Sequence, residues 1–312
     1  MIFWGGIILL PNDTLTTEEV ARLLKVSKLT VYDLIKKGEL PSYRVGRQIR
    51  VEREALQAYK NQSNSVQDDF EQNINKNKKT RSVIISGQDN CLDILAKQLE
   101  KQSKTFHPLR SYIGSLDGLI AMYQGKADIV STHLFDGDTS TYNIPYVRKV
   151  LVCKSFLIIH LLKRKAGFFV AKGNPKNITA WKNLKEPSLQ FINREAGAGA
   201  RILLDEQLRL NHLDRSKING YYNELTSHMD VVSAIASGKA DVGIGTSHAA
   251  KMANIDFIPM VEESYDLVIL KTEENKTLIQ TVLQVTQNND FKKALHSLNY
   301  NTENTGKILY EQ

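Results

Sequence analysis

From Thr14 onward the alternation of apolar and polar positions takes a helical period. Thr16-Thr17-Glu18-Glu19 has the S/T-x-x-E form of a capping box, and Val20, Leu23 and Leu24 follow as an apolar stripe, which predicts a helix from Thr17 to about Leu24. After the turn Lys25-Val26-Ser27, Ser27 can cap a second helix. In that helix Val31, Leu34 and Ile35 face inward, Lys28, Thr30, Tyr32, Lys36 and Lys37 face out, and Gly38 ends it. Two short helices on a tight turn predict a helix-turn-helix. The period then changes to two between Leu40 and Val51, with Gly46 at a hairpin turn, which predicts a small wing.

The next pattern is the loss of one. Residues 61–80, rich in Asn, Gln, Lys and Asp, offer only Val66, Phe70 and Ile74 for burial and read as a polar linker. Beyond it, strand-like runs alternate with helical ones: SVIIS (82–86) precedes a helix from Cys91 to Leu99, and LQFIN (189–193) precedes one from Gly199 to Leu210. That alternation predicts α/β layers with parallel strands. There is also an internal echo. LIAMYQGKADIVSTH (119–133) and VVSAIASGKADVGIGTSH (231–248) each run helix, Gly-Lys-Ala-Asp, buried strand, which predicts two similar lobes and a cleft between them.

Length agrees with several structural units, since 312 residues exceed one ordinary core. With 42% hydrophobic and 24% charged residues, the composition excludes disordered, collagen-like and disulfide-scaffold chains. The net charge of +7 is concentrated: residues 14–60 hold ten Lys or Arg against six Asp or Glu. The two cysteines, Cys91 and Cys153, cannot form a disulfide framework or a paired metal knuckle and are expected to be buried thiols in the cytoplasm. The apolar start Ile2 to Leu10 lacks a basic flank and a cleavage site and is too short to span a bilayer, so it is expected to be an extension or a loosely packed strand, with no membrane partner.

Two constellations carry chemistry. In the N-terminal unit, a helix bearing lysines and hydroxyls can enter a major groove while Arg44, Arg47 and Arg50 of the wing meet phosphates or the minor groove. In the long unit, Asn193-Arg194-Glu195-Ala196-Gly197-Ala198-Gly199-Ala200-Arg201 joins a strand to a helix. Glycines leave amides open, a helix N-terminus offers unpaired donors, and Arg194 and Arg201 add charge, which makes a candidate anion site. Ser86-Gly87 and Gly114-Ser115 are comparable strand-to-helix junctions in the other half, where open α/β sheets present ligands.

Residues 14–59 resemble the excisionase and MerR-like winged-helix family. The resemblance implies a recognition helix carrying Ser27, Lys28, Thr30, Tyr32 and Lys36, and a wing carrying Arg44, Arg47 and Arg50. SGQDNCLDILAKQLE (86–100), GSLDGLIAMYQGKADIVSTHLFD (114–136), GFFVAKGNPKNI (167–178), FINREAGAGARILLDEQL (191–208) and SGKADVGIGTSHAA (237–250) resemble the type 2 periplasmic binding proteins, in particular versions fused to helix-turn-helix domains. The Asn-Arg-x-x-Gly-x-Gly turn looks like that of molybdate and tungstate binders. The resemblance implies ligand contacts from Ser86, Gly87, Ser115, His133, Arg194, Gly197, Gly199, Arg201, Thr246 and Tyr265, and two chain crossings, near Leu162 to Phe169 and near Ser264 to Leu270.

No phosphate loop, HExxH, paired CxxC or G-x-S-x-G elbow occurs, so no catalytic residue, metal or cofactor is expected. Ser227, His228 and Asp230 supply triad residue types, but sequence neighbours do not make triad geometry. His133 and His248, which follow the two Gly-Lys-Ala-Asp strands, can approach the cleft. The expected fold is α/β: a winged helix-turn-helix at 14–60, the linker at 61–80, and a two-lobed periplasmic-binding-protein-like domain at 81–312. Lobe one would take about 81–160 and 270–312, and lobe two about 167–261. The expected function is a cytoplasmic, homodimeric transcriptional regulator that binds double-stranded DNA and senses a small anion, molybdate or tungstate foremost. The alternatives are an excisionase-like architectural DNA-binding factor and, from a third class, an enzyme linked to molybdenum cofactor synthesis.

Overall fold

The computed structural model describes residues 14–46, 48–60 and 80–312, so the apolar start, Arg47 and the linker segment 61–79 lie outside the described residues. The chain divides into two compact units, Met1–Lys79 and Thr80–Gln312.

In the first unit β1 (Thr14–Thr16) leads into α1 (Thr17–Leu24). The Thr16 hydroxyl accepts from the Glu19 amide at 3.3 Å while Glu19 Oε2 accepts from the Thr16 amide at 2.8 Å, so the reciprocal cap is complete. Lys25, at φ 56°, closes α1 in the left-handed region, and Ser27 caps α2 (Lys28–Lys36). The wing is β2 (Tyr43–Val45), a turn at Gly46 with φ +62°, and β3 (Gln48–Glu52), which also pairs with β1; helix α3 covers 53–60. Leu15, Val20, Val31, Leu40, Val51 and Leu56 bury one small core, drawing a residue from nearly every element. Removing these side chains from water, at roughly 1.5–3 kcal/mol each, is what holds the helices to the wing.

The second unit is built on one nine-stranded sheet. Its elements are β4 (Arg81–Ser86), α4 (Cys91–Gln102), β5 (Phe106–Ser111), α5 (Ser115–Tyr123), β6 (Ile129–Thr132), the small hairpin β7 (Phe135–Asp136) and β8 (Thr141–Tyr142), α6 (Ile144–Val150) and β9 (Phe156–Val170). There follow β10 (Phe191–Arg194), α7 (Gly199–Leu210), β11 (Glu224–Leu225), α8 (His228–Ala236), β12 (Val242–Thr246), α9 (Ser247–Met252), β13 (Asp256–Leu270), α10 (Lys276–Gln287), α11 (Asn289–Ser297) and β14 (Ile308–Glu311). The strand order is β11-β10-β12-β9-β13-β6-β4-β5, with β14 added beside β9.

The 15-residue strands β9 and β13 pair antiparallel along their length and make the sheet continuous across both lobes. Lobe two attaches where β12 pairs with Ala166–Val170, and lobe one where β6 pairs with Asp266–Ile269. The strands therefore change lobe over 161–165 and 262–265, somewhat before the expected stretches, because Ala166 and Asp266 already belong to the ladders of their lobes. Each lobe has apolar clusters on its sheet faces, and lobe one takes in Leu278, Val282, Phe291 and Leu295 of the C-terminal helices.

The repeated Gly-Lys-Ala-Asp has one physical role in both lobes. Asp128 Oδ2 accepts from the Ile84 amide at 2.8 Å, within β4, and Asp241 Oδ2 accepts from the Gln190 amide at 2.8 Å, just before β10, so each aspartate ties down a neighbouring strand. Cys91 is buried as expected; Cys153 is exposed, since it sits at φ 62° in the turn after α6 rather than on a packed face. Among the described residues no helix is long and apolar enough to cross a membrane.

Candidate functional site

Between the two lobes lies a narrow cleft with a cavity volume of about 20 Å³. Lobe one contributes the turn after β4, where Gly87 takes φ +143° and is followed by Gln88 and Asp89, together with Gly114 and Ser115 at the start of α5. Only glycine fits at 87: a Cβ there would come within 1.9 Å of Ser131 Oγ and 3.1 Å of the Tyr265 hydroxyl. Lobe two contributes Arg194 from the end of β10, Ala198, Gly199 and Ala200 at the start of α7, and His228, the first residue of α8.

Three helix starts thus converge on one space. The amides of Ser115, Gly199 and Ala200 make no hydrogen bond within the described residues, as expected of first-turn donors left for a partner from outside the helix. Arg194 is 1% exposed. Its Nε donates to Glu195 Oε2 at 2.9 Å, and its Nη2 donates to Glu195 Oε1 and to Gln88 Oε1, both at 2.7 Å. Nη1 has no partner among the described residues and remains the open donor of the guanidinium.

Arg164, which sequence reasoning missed, lies on the crossing segment of β9. Its Nε donates to Glu263 Oε1 at 2.5 Å, its Nη1 donates to Asp89, and its guanidinium carbon sits 4.2 Å from the Tyr265 ring centroid. Glu263 also faces His133 Nδ1 at 3.1 Å. Burial pushes the Glu263 carboxyl up, but Arg164 and His133 outweigh it and hold the group down at about 2. Asp89 follows the same balance: burial raises it, while Arg164, the Cys91 amide and the Tyr300 hydroxyl bring it below the ordinary range. Burial, reinforced by Arg194 and Arg164, pushes His228 well below the usual imidazole value, so its ring is neutral near pH 7, and its Nδ1 is buried without a partner among the described residues.

The lobes are closed over this space. Gln88 reaches across to Glu195 Oε1 at 3.3 Å and to the Thr226 carbonyl at 3.2 Å, and the Leu116 amide donates to the Gly197 carbonyl at 3.1 Å. Gly114 and Gly199 permit that approach. A Cβ on Gly114 would meet the Gly197 carbonyl at 3.0 Å, and one on Gly199 would meet the His133 ring at 2.5 Å.

Of the expected ligand residues, Gly87, Ser115, His133, Arg194, Gly199 and Tyr265 come together around the cleft. Four do not line it. Ser86 ends β4 with its hydroxyl buried, without a partner among the described residues, and turned toward Gly118 of α5. Gly197, at φ +87°, serves the lobe contact through its carbonyl. Arg201 lies on another side of α7, where it donates to Glu224 Oε1 at 2.7 Å and Asp205 Oδ2 at 3.1 Å and covers the Tyr221 ring at 4.3 Å. Thr246 is buried in the ladder with Ala166. His248 packs near Tyr300 instead of reaching the cleft, at 5.5 Å between ring centroids. Ser227 caps α8 and donates to Asp230 Oδ2 at 2.6 Å, a helix-start arrangement with no triad in it. Gln88, Asp89, Ser131, Arg164, His228 and Glu263 were not anticipated at the cleft; for Arg164 and Glu263 the available signal was charge inside strand runs that otherwise read as apolar.

In the first unit, the Ser27 hydroxyl accepts from the Thr30 amide at 3.1 Å and lies 2.8 Å from the Thr30 hydroxyl, so these two side chains satisfy each other at the helix start. Lys28 Nζ donates to Glu18 Oε1 at 2.6 Å. Tyr32, Lys36 and Arg44 are exposed, and Arg50, half-buried, donates to Gln48 Oε1 at 2.9 Å.

The family model for the PBP superfamily domain matches residues 96–287, and that for a helix-turn-helix domain matches residues 14–64. The chain belongs to the PBP superfamily, with a helix-turn-helix domain ahead of its PBP-like domain. It is 50% identical over 303 residues to protein YvgK of Bacillus subtilis (strain 168), a match spanning 95% of this chain and 97% of YvgK. The sulfate-binding protein SubI of Mycobacterium tuberculosis H37Rv shares the fold, with a TM-score of 0.53 at 14% identity over 70% of this chain and 86% of SubI. So does a substrate-binding protein of Clostridium perfringens with bound phosphate, with a TM-score of 0.51 at 14% identity over 71% of this chain and 99% of that one.

Proposed function

We infer that this PBP superfamily member is a one-component transcriptional regulator, in which the helix-turn-helix domain binds double-stranded DNA and the PBP-like domain senses a small oxyanion. The carrying observation is the convergence of unpartnered donors on one closed cleft: the Ser115, Gly199 and Ala200 amides and the open edge of Arg194. Such donors match an anion better than an apolar ligand, whose burial there would leave them unpaired. The sulfate and phosphate named for the two structural relatives agree with an oxyanion, and molybdate and tungstate remain the first candidates from the Asn193 to Gly199 turn.

Ligand held by both lobes favours the closed form, and only this difference in affinity can shift the equilibrium. In a homodimer acting in the cytoplasm, closure would change the spacing of two DNA-binding heads on half-sites about one helical turn apart. The test is thermal unfolding of the full chain against molybdate, tungstate, sulfate and phosphate, since a ligand bound only by the folded state raises the midpoint with its concentration. A selective upward shift with one anion, followed by a change in DNA affinity with the same anion, is expected. No shift with any of the four sinks the oxyanion reading.

A further inference from the structure

Helix α2 presents to solvent a stripe whose chemistry differs from that of a general phosphate-binding surface. Val31, Leu34 and Ile35 turn inward, and directly opposite, at i, i+4 and i+7, stand Leu29, Asp33 and Lys36. Leu29 is 74% exposed, the most exposed of the large apolar side chains among the described residues, and it adds nothing to the small core behind it. Asp33 is the one acid on α2, and its carboxylate has no ion pair or hydrogen bond among the described residues. Lys28 and Thr30 lie next to Leu29 along the helix, and Lys25, Lys37 and Arg44 are further exposed cations of the same unit.

On a surface whose cations suit phosphate, a lone unpaired acid weakens binding unless it meets a donor on a base edge. In the major groove the N4 amino group of cytosine is such a donor, and the 5-methyl group of thymine is the apolar feature that a leucine can cover. We propose that Leu29 and Asp33 are the base-reading pair of this domain, Leu29 packing on a thymine methyl and Asp33 accepting from a cytosine N4 amino group. Four residues of helix advance about 6 Å. Stacked base pairs advance about 3.4 Å. The thymine and the cytosine therefore stand one or two base pairs apart in the half-site. The proposal rests on the DNA-binding reading of the helix-turn-helix domain and names what that domain recognises.

The experiment selects duplexes from a random-sequence library with the full chain, then measures affinity for the enriched duplex with each thymine replaced in turn by deoxyuridine and each cytosine by the other bases. One thymine is expected to matter through its methyl alone, with deoxyuridine there costing the wild type about four-fold, the worth of one buried carbon. Leu29→Ala should be indifferent to that replacement. At a cytosine one or two pairs away, substitution should cost the wild type about ten-fold, and Asp33→Asn should move the preference to adenine, whose edge an amide matches. Both side chains are exposed, so the variants should keep the wild-type circular dichroism and melting.

An enriched duplex insensitive to deoxyuridine at every thymine overturns the role of Leu29, and an unchanged base preference in Asp33→Asn overturns that of Asp33. A Leu29→Ala chain that falls from dimer to monomer while keeping its methyl dependence also overturns it, because the stripe would then be a contact between copies. If no sequence is enriched at all, the DNA-binding reading itself fails, a result distinct from the others.

Discussion

Arg164 and Glu263 face each other on the two strands that join the lobes, with guanidinium Nε donating to carboxylate Oε1 at 2.5 Å and both side chains buried. The pair stands where β9 and β13 change lobe, and Asp89 and His133 reach it from lobe one. A charge pair in such a place must be fully hydrogen-bonded, because a buried ion without its partner is strongly destabilising.

The pair makes stability depend on pH. The Glu263 carboxyl is lowered from its ordinary 4.5 to about 2, so the folded form binds its proton less readily than the unfolded form. Its contribution is complete above the unfolded value and is lost as pH falls through the folded one, in a window from about pH 4.5 down to 2. The amount is roughly 3 kcal/mol, since each tenfold difference in proton affinity between the two forms corresponds to about 1.4 kcal/mol. Urea unfolding of the PBP-like domain at stepped pH should show this fall in the wild type and a smaller one in Glu263→Gln, which is itself less stable near neutrality. Parallel curves for the two proteins would refute it.

Closure has its own probe in Gly199. Its φ is one that alanine adopts, and the nearest group the Cβ would meet is the His133 ring, at 2.5 Å, which belongs to the opposite lobe. Gly199→Ala should therefore leave the melting of the unliganded protein nearly unchanged, since open lobes relieve the contact. It should lower oxyanion affinity by about ten-fold or more, because a clash in the closed form costs on the order of 1–3 kcal/mol. Calorimetric titration read beside the melting curve separates the two effects. A large fall in melting temperature without ligand would mean that the domain does not open.

What could be read in advance was local. The capping box at Thr16 and Glu19, the turn at Gly46 and the helix starting at Gly199 each follow from residues within one or two turns, and all three stand as predicted. The cleft was half legible. Arg194 and Gly199 were visible because glycines and an arginine at a strand-to-helix junction carry their own signal. Arg164 was not, because its meaning depends on Glu263, 99 residues away, and on Asp89, 75 residues away. Arg201 misled for the complementary reason: helix geometry turned an arginine near the glycines toward Glu224 and Tyr221.

Arg194 supplies an open charged donor to the cleft, so Arg194→Ala should weaken oxyanion binding by about 10- to 100-fold, the loss of a charge-assisted hydrogen bond worth roughly 1.5–3 kcal/mol. Its other donors hold Glu195 and Gln88, so the variant also loosens the contact between lobes, and Gln88→Ala should reproduce a smaller part of the loss. Isothermal titration of both variants with the anion that stabilises the wild type would measure this. Unchanged affinity in Arg194→Ala would remove the residue from the site.

The wing and the helix stripe should separate affinity from specificity. Arg44 is an exposed cation on β2 with no ion pair among the described residues, suited to a phosphate. Arg44→Ala should weaken binding to every duplex by the same factor and reduce the slope of log affinity against log salt by about 0.9, as one phosphate contact releases its counterion. Lys28→Ala should do less, because Lys28 already spends its charge on Glu18 at 2.6 Å and must break that contact to reach a phosphate. Fluorescence anisotropy from low to moderate salt, on the enriched duplex and on an unrelated one, reads both numbers. An Arg44→Ala loss confined to one sequence would instead make the wing a base reader, which is the outcome that would redraw the interface.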